Sequence, residues 1–320
     1  MLKKSFLLVF LLVVFAMLVT GGCGDVEDEV LSEEEVAEET VEVEEEPLTI
    51  VDQMGREVTL DDMPQRIISL SPSNTEVLFA LGLEEKVVGV TEYCNYPPQA
   101  QEKENIGGFS TPSIEKIVEL EPDMVLASTI HREEVPRLED LGITVMVVES
   151  ATVAELFTSI ALIAEVTGVV AEGDELIDSM QDRIDAVQAV VGDIAEEDKR
   201  LVYYEVYSDP LMSAGHDAFI TEIIDLAGGV NIFGDIDESY PQISAEVVAE
   251  RQPEIILYPD YHGTADLMLE TMTGRPGWEN VPAVLNENIF AVSDDAFARP
   301  GPRMVDAMEE AASLFYPELF

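Results

Sequence analysis

One block of apolar and polar positions occurs twice in this chain, 131 residues apart. The first copy, residues 113–126, places Ser113, Glu115, Glu119, Pro122, Asp123 and the pair Val125 and Leu126 at fixed offsets. The second, residues 244–257, matches them with Ser244, Glu246, Glu250, Pro253, Glu254, Ile256 and Leu257. Each copy reads as one unit. The Ser is a helix N-cap, and apolar residues at 114, 117, 118 and at 245, 248, 249 follow the spacing of a buried helix face. The Pro then stops the helix and a short apolar strand begins. Two copies are too few for a solenoid. They predict two similar α/β lobes, an arrangement suited to a molecule that holds something between them.

The remaining pattern agrees. Leu48 to Asp52 and Glu57 to Leu60 flank Met54 and Gly55 as a hairpin, and Arg66 to Leu70 is a buried strand. Ser71 to Asn74 makes a turn, with Ser73 and Glu76 at capping-box spacing. Thr75 to Leu81 is a helix closed by Gly82. Val87 to Val90 and Ile143 to Val148 are further strands. From Phe157 to Val191 the pattern is strongly helical, with breaks expected near Gly168 and Gly173. Its second half, from Asp174, is a stiff connector of about 30 Å. Leu201 to Val206 then opens a second lobe, and the helix Ala218 to Ala227 ends at Gly228 and Gly229, echoing residues 66–82. The fold class expected is therefore α/β: two Rossmann-like lobes with mainly parallel sheets and helices on both faces, joined by one long α-helix within 170–193. The lobes run over about 48–150 and 198–320, with a linker at 151–197.

The N-terminus stands apart. Lys3 and Lys4 precede an unbroken apolar run of 14 residues, Phe6 to Val19, which is signal-peptide length and short of a spanning helix. Thr20, Gly21, Gly22 and Cys23 close it. This resembles a bacterial lipoprotein signal, residues 1–22, in which Cys23 becomes the lipidated first residue; Thr20 stands where an aliphatic residue is usual. The exported chain would then be held at the outer face of the cytoplasmic membrane. Residues 24–46 carry thirteen acids and no Lys or Arg. Such a block cannot bury a core, so 23–47 reads as an extended acidic tether. The formal net charge is −50, and about 39 negative charges remain on the rest of the chain. That surface excludes nucleic acid as a partner and suits an organism living in high salt.

Catalytic chemistry is not visible. With Cys23 processed, Cys94 is alone and reads as a buried thiol. His131, His216 and His262 lack metal-ligand spacing, and no phosphate loop or nucleophile elbow occurs. No catalytic residue, resident cofactor or metal is expected. Glu115 and Glu246 fall in the first turns of matching helices, where acids suit the helix dipole without further meaning.

Three segments together resemble the helical-backbone class of periplasmic binding proteins, which serve ABC importers of cobalamin, ferric siderophores and haem. They are Ser69 to Glu76 (SLSPSNTE), Gly107 to Phe109 with Ser113 to Glu115, and Arg299 to Arg303 (RPGPR). The resemblance covers roughly 48–320. It implies the two lobes and single linking helix already read from periodicity, no large hinge closure, and a monomer working with a permease dimer and its ATPase subunits. It also implies that Glu115 and Glu246 dock one permease subunit each, and that the membrane is touched only through the lipid anchor.

Ligand sites of such sheets lie at the carboxyl ends of the strands. The residues expected there are Ser73, Asn74, Tyr93, Phe109, Tyr240, His262, Asp295, Ala296, Phe297, Ala298 and Arg299. By resemblance to the corrinoid-binding members, Tyr93 lies against the ring and the 295–299 loop contacts the ligand. Phe109 and Tyr240 supply flat aromatic faces, while Ala296 stands where that branch has Trp. A corrinoid is the first expectation. A ferric siderophore or haem, with His262 or Tyr93 as axial ligand, is the alternative. Siderophore complexes are usually anionic, and Arg299 and Arg303 are the cleft cations, unless Arg303 braces the loop. A surface enzyme or an adhesion domain is the reading from another class.

Overall fold

A computed structural model describes residues 47–260 and 265–320. The expected signal segment, Cys23 and nearly all of the acidic tether lie outside the described residues, as do Tyr261 and His262. The chain opens with the hairpin β1 (Leu48–Val51) and β2 (Glu57–Leu60), antiparallel with Leu48 opposite Leu60. There follow β3 (Ile67–Ser69), α1 (Pro72–Ala80), β4 (Val87–Val90), β5 (Glu104–Asn105), α2 (Ile114–Glu119), β6 (Met124–Ala127), α3 (Val135–Glu139) and β7 (Thr144–Val147). The first sheet runs β5-β4-β3-β6-β7, parallel throughout. Two helices come next, α4 (Val153–Thr167) and α5 (Val170–Val191). The second lobe contains β8 (Arg200–Ser208), β9 (Leu211–Ser213), α6 (Phe219–Leu226), β10 (Gly229–Asn231), α7 (Ala245–Arg251), β11 (Ile255–Pro259), α8 (Ala265–Thr273), α9 (Pro282–Leu285), β12 (Ile289–Val292), α10 (Asp294–Ala298) and α11 (Met304–Phe315). Its sheet runs β10-β8-β11-β12, also parallel, with β9 antiparallel to β8. This is the expected α/β architecture of two lobes joined by one long helix. Among the described residues no helix is long and apolar enough to cross a membrane.

Strand periodicity sorts the core. Ile67, Met124, Leu126 and Met146 point to one face of the first sheet, and Ile68, Val125, Val145 and Val147 to the other. The first set joins a continuous apolar core through α4, α5 and α11 to Val202, Tyr204, Ile255 and Leu257 of the second sheet. The far face of that sheet carries Tyr203, Phe233, Ile256 and Trp278. Helix α5 buries Met180, Ile184, Val187 and Val191 along one stripe. It is tied to the second lobe by Arg183, which binds Glu309 and Asp306 of α11.

Two local expectations are corrected. Ser73 and Glu76 form no capping box: α1 starts at Pro72 with Ser71 as N-cap, and the Glu76 side chain turns away to the half-buried Arg303. The helical stretch breaks once, at Gly168 with φ +75, and not at Gly173. Gly173 lies inside α5, where an added Cβ would come within 2.5 Å of Ala164 Cβ, so it permits α4 and α5 to touch.

The duplicated unit folds alike in both places. Ser113 and Ser244 each accept a backbone N–H at the start of α2 and α7. Glu121 and Gln252, at the same offset, both take left-handed backbone before the Pro, with φ +47 and +49.

The hairpin is fixed to the first lobe by Asp52. Its carboxylate accepts from the Met54, Arg56 and Val147 N–H groups and from the Arg56 guanidinium. Burial pushes the Asp52 carboxyl up, but the Arg56 and Val147 hydrogen bonds pull it further down, below its usual value. A carboxyl lowered by folding adds stability above its unfolded value of about 3.9, and that contribution disappears as pH falls through the folded value. Asp52→Asn is expected to lower stability at pH 7 by about 2 kcal/mol, with the difference from wild type shrinking below about pH 4. Urea unfolding at a series of pH values measures it.

Candidate functional site

Each sheet starts in its middle: β3 is flanked by β4 and β6, and β8 by β10 and β11. Successive connections therefore diverge at the carboxyl ends of these strands and leave a crevice there. A cavity of about 610 Å³ lies at this place, within the roughly 300–1,000 Å³ usual for small-molecule sites. The first lobe contributes Ser71 to Asn74 after β3, Tyr93 after β4, Phe109 after β5, Ser128 after β6, and Val148 to Ala151 after β7. The second lobe contributes Asp217, Phe219, Ser239, Tyr240 and Ala298 to Pro300.

The side chains are held from behind. Buried Asn74 donates to the carbonyls of Ala127 and Val148, binding the start of α1 to the ends of β6 and β7. Phe109 meets the edge of the His131 ring at 5.4 Å. His131 is buried; its Nδ1 accepts from the Ser128 N–H, so Nε2 carries the proton and donates to the Phe109 carbonyl at 2.6 Å. Tyr93 is 56% exposed and Tyr240 42%, leaving their rings open to the crevice. Burial, then the Asp294 carboxylate, raises the Tyr240 phenol, which remains a neutral hydrogen-bond donor.

Seven of the expected residues line the cavity: Ser73, Asn74, Tyr93, Phe109, Tyr240, Ala298 and Arg299. Three others do not. Ala296 and Phe297 are buried on the core side of α10, with Phe297 beside the Tyr204 ring, because the helix turns those positions inward. Asp295 faces its neighbours Asn95 and Arg299 rather than the open space. His262 lies outside the described residues. Cys94 is buried, with its thiol against Thr75 and Thr91, and burial raises it. The sequence reading missed Ser128, Glu149 to Ala151 and Asp217. The first two groups directly follow predicted strands, so applying the strand-end rule to every strand would have found them.

An ionic network built on a buried carboxylate closes one side of the crevice. Glu76 of α1, 3% exposed, accepts two hydrogen bonds from Arg303 at 2.6 and 2.8 Å. Arg299 contacts Asp295 at 2.5 Å, Asn95 Oδ1 at 2.7 Å and Glu76 at 3.6 Å. Asn95 in turn donates to Asp295, and the Arg303 guanidinium lies 4.1 Å from the Tyr96 ring centre. Gly301 passes Glu76 so closely that a Cβ would lie 3.3 Å from its carboxylate. Burial lowers the Arg303 guanidinium, while hydrogen bonding and attraction from Glu76 raise it; the net direction is upward.

Away from the crevice, Glu115 and Glu246 are exposed in the first turns of α2 and α7. Glu246 is held below its usual value by its own backbone N–H and then by the Ser244 hydroxyl. Trp278 is fully buried, donates to the Ala245 carbonyl, and does not line the cavity.

Removing one member of a buried, hydrogen-bonded pair leaves an uncompensated charge. Arg303→Ala is therefore expected to destabilise by about 3 kcal/mol, and the double change Glu76→Gln, Arg303→Met by clearly less. Denaturant unfolding of the three proteins compares them.

These lobes and this crevice have counterparts. A profile describing periplasmic binding proteins matches residues 67–296. A Bacillus subtilis protein named as an uncharacterized ABC transporter substrate-binding lipoprotein, YvrC, is 32% identical over 311 residues, 95% of either chain. The vitamin B12-binding protein of Vibrio cholerae is 31% identical over 251 residues, covering 78% of this chain and 88% of its own length. The solved periplasmic heme-binding protein RhuT from Roseiflexus has a TM-score of 0.71 at 26% identity, over 80% of this chain and 99% of its own. With a profile that spans most of its length and a relative aligned nearly end to end, this chain belongs to the periplasmic binding protein family.

Proposed function

We propose that this chain is the extracytoplasmic binding lipoprotein of an ABC importer, and that it captures a corrinoid and delivers it to a permease dimer coupled to ATPase subunits. It carries out no reaction of its own. Lipidated Cys23 anchors it to the outer face of the cytoplasmic membrane, and residues 23–47 are the tether that holds a monomer within reach of the permease. One observation carries the ligand reading: Tyr93, Phe109 and Tyr240 approach one cavity from both lobes. Flat aromatic faces on two sides suit a macrocycle, because dispersion and apolar burial accumulate over its whole area. The similarity to a vitamin B12-binding protein supports the same choice.

A second reading has its own support. Tyr93 is exposed and lines the crevice, and a Tyr can ligate haem iron. The likeness to RhuT points the same way. Calorimetric titration of the mature chain with cyanocobalamin, haem and ferric siderophores decides. Sub-micromolar cyanocobalamin binding, about −8 kcal/mol or better, is expected. Tyr93→Ala should weaken it about tenfold, as loss of one ring contact of 1–1.5 kcal/mol would. Tight haem binding without cobalamin binding would transfer the proposal to the second reading.

Glu115 and Glu246 are proposed as the permease contacts. They share one offset, one capped helix start and an exposed position, as a two-fold partner requires. A single exposed ion pair contributes little, roughly 0–1 kcal/mol, so each single Ala variant should transport nearly normally. The double variant Glu115→Ala, Glu246→Ala should bind ligand unchanged and lose uptake in whole cells; retained uptake would remove the assignment.

A further inference from the structure

The charges around the crevice are unequal. Among the described lining residues Arg299 is the only Lys or Arg, while Glu149 and Asp217 are both acidic and exposed. The Arg299 guanidinium is already engaged by Asp295, Asn95 and Glu76. Arg303, just behind it, is engaged by Glu76 and lies 4.0 Å from Asp295. The two arginines and two carboxylates of this network neutralise one another, and the arrangement is fixed by burial: the Glu76 side chain is 2% exposed and those of Arg303 and Arg299 are 15% and 17%. The charge of an arginine so held is already compensated, and both terminal nitrogens of Arg299 have partners before any carboxylate or catecholate arrives. Glu149 and Asp217 then set the sign of the field inside. Glu149 stands at the end of β7, its carboxylate accepting from the Thr129 N–H and hydroxyl. Asp217 stands across the crevice at the start of α6.

We propose that this crevice selects against anions: the ligand it accepts is neutral or cationic overall, because Arg299 is neutralised within an inter-lobe network while Glu149 and Asp217 line the cavity with no ion-pair partner among the described residues. The proposal rests on the reading of this crevice as the ligand site and narrows its ligand class. It favours an amide-decorated corrinoid over haem, whose propionates are ionised, and over ferric complexes that carry net negative charge. Like charges brought together across a partly desolvated interface cost far more than the same charges in water.

The outer surface also repels anions, and this must be separated from the crevice. At about 1 M salt the screening length falls to roughly 3 Å, which removes long-range repulsion and leaves contact discrimination. The mature chain is therefore titrated in 1 M NaCl with matched probes differing in charge. The first pair is cyanocobalamin and its monocarboxylic acids, in which one propionamide has become a propionate. The second set is ferrioxamine B, a cation, ferrichrome, which is neutral, and ferric enterobactin, an anion; haem is the last probe. Within each set the anionic member should bind at least about tenfold more weakly. In Asp217→Asn, Glu149→Gln, both sites being exposed and both changes nearly isosteric, that gap should narrow to about threefold or less.

The outcomes separate the two claims. If cyanocobalamin is refused while ferrichrome or ferrioxamine B binds and ferric enterobactin does not, the corrinoid reading falls and the charge selection stands. If cyanocobalamin and its acids bind within about twofold of each other, the selection is overturned and the corrinoid reading stands. Haem or ferric enterobactin binding as tightly as the neutral probes, or a gap unchanged in the double variant, overturns the selection. If no probe binds, both readings fail.

Discussion

The bidentate contact between Glu76 and Arg303 is the constraint on which the rest of the crevice depends. Glu76 sits on α1, the first helix after the central strand of the first lobe, and Arg303 sits at the start of α11 in the second. A carboxylate with so little contact with water is tolerable only when its partner is in place. The pair therefore fixes how far apart the lobes stand on that side. The long α5 does so on another side, and the N–H of Val153 at the head of α4, bound by Glu222 of α6, adds a third tie. With the lobes held at three places, the crevice is formed before any ligand arrives. A preformed site loses little conformational freedom on binding.

The same network decides the chemistry of the cavity. Two arginines near a crevice, read without geometry, look like an anion receptor. Here their guanidinium groups face inward to Glu76 and Asp295, and Tyr96 covers one of them. The rest of the lining is aromatic, hydroxyl-bearing and aliphatic, and its other charged residues, Glu149 and Asp217, are acidic. Phe109 is oriented by His131, which uses both ring nitrogens in holding the backbone. Rigid rings backed by satisfied hydrogen bonds suit recognition of a large flat ligand better than mobile ones, since less side-chain entropy is lost.

The duplicated unit shows how one local solution serves two lobes. A Ser cap, an acid in the first turn, a left-handed residue and then Pro produce a short helix that ends abruptly and feeds a buried parallel strand. Because the unit recurs at the same place in each sheet, Glu115 and Glu246 emerge at equivalent points on the outer surface. Neither takes part in the core, and neither approaches the cavity.

Much of the fold was legible in the sequence for simple reasons. Helix and strand periods, Ser caps, Gly168 at φ +75 and the two Pro stops are local, and local rules fixed the elements, the α/β class and the long helix. The strand-end rule placed Ser73, Asn74, Tyr93, Phe109, Tyr240, Ala298 and Arg299 at one crevice. It failed where a helix turns residues inward: Ala296 and Phe297 follow α10 into the core, and no spacing in the chain reveals which side of that short helix is buried. Local spacing also misled at Glu76, which had the offset of a capping partner and instead meets an arginine 227 positions away. By itself, then, the sequence determined the elements, their order and the residues available at the strand ends, since these depend on neighbours along the chain. Only the tertiary structure decided that Arg299 and Arg303 are neutralised, that Gly173 is a contact and not a break, and that the crevice is left negative. Each of those depends on which distant side chain arrives first at a buried charge or a close backbone approach.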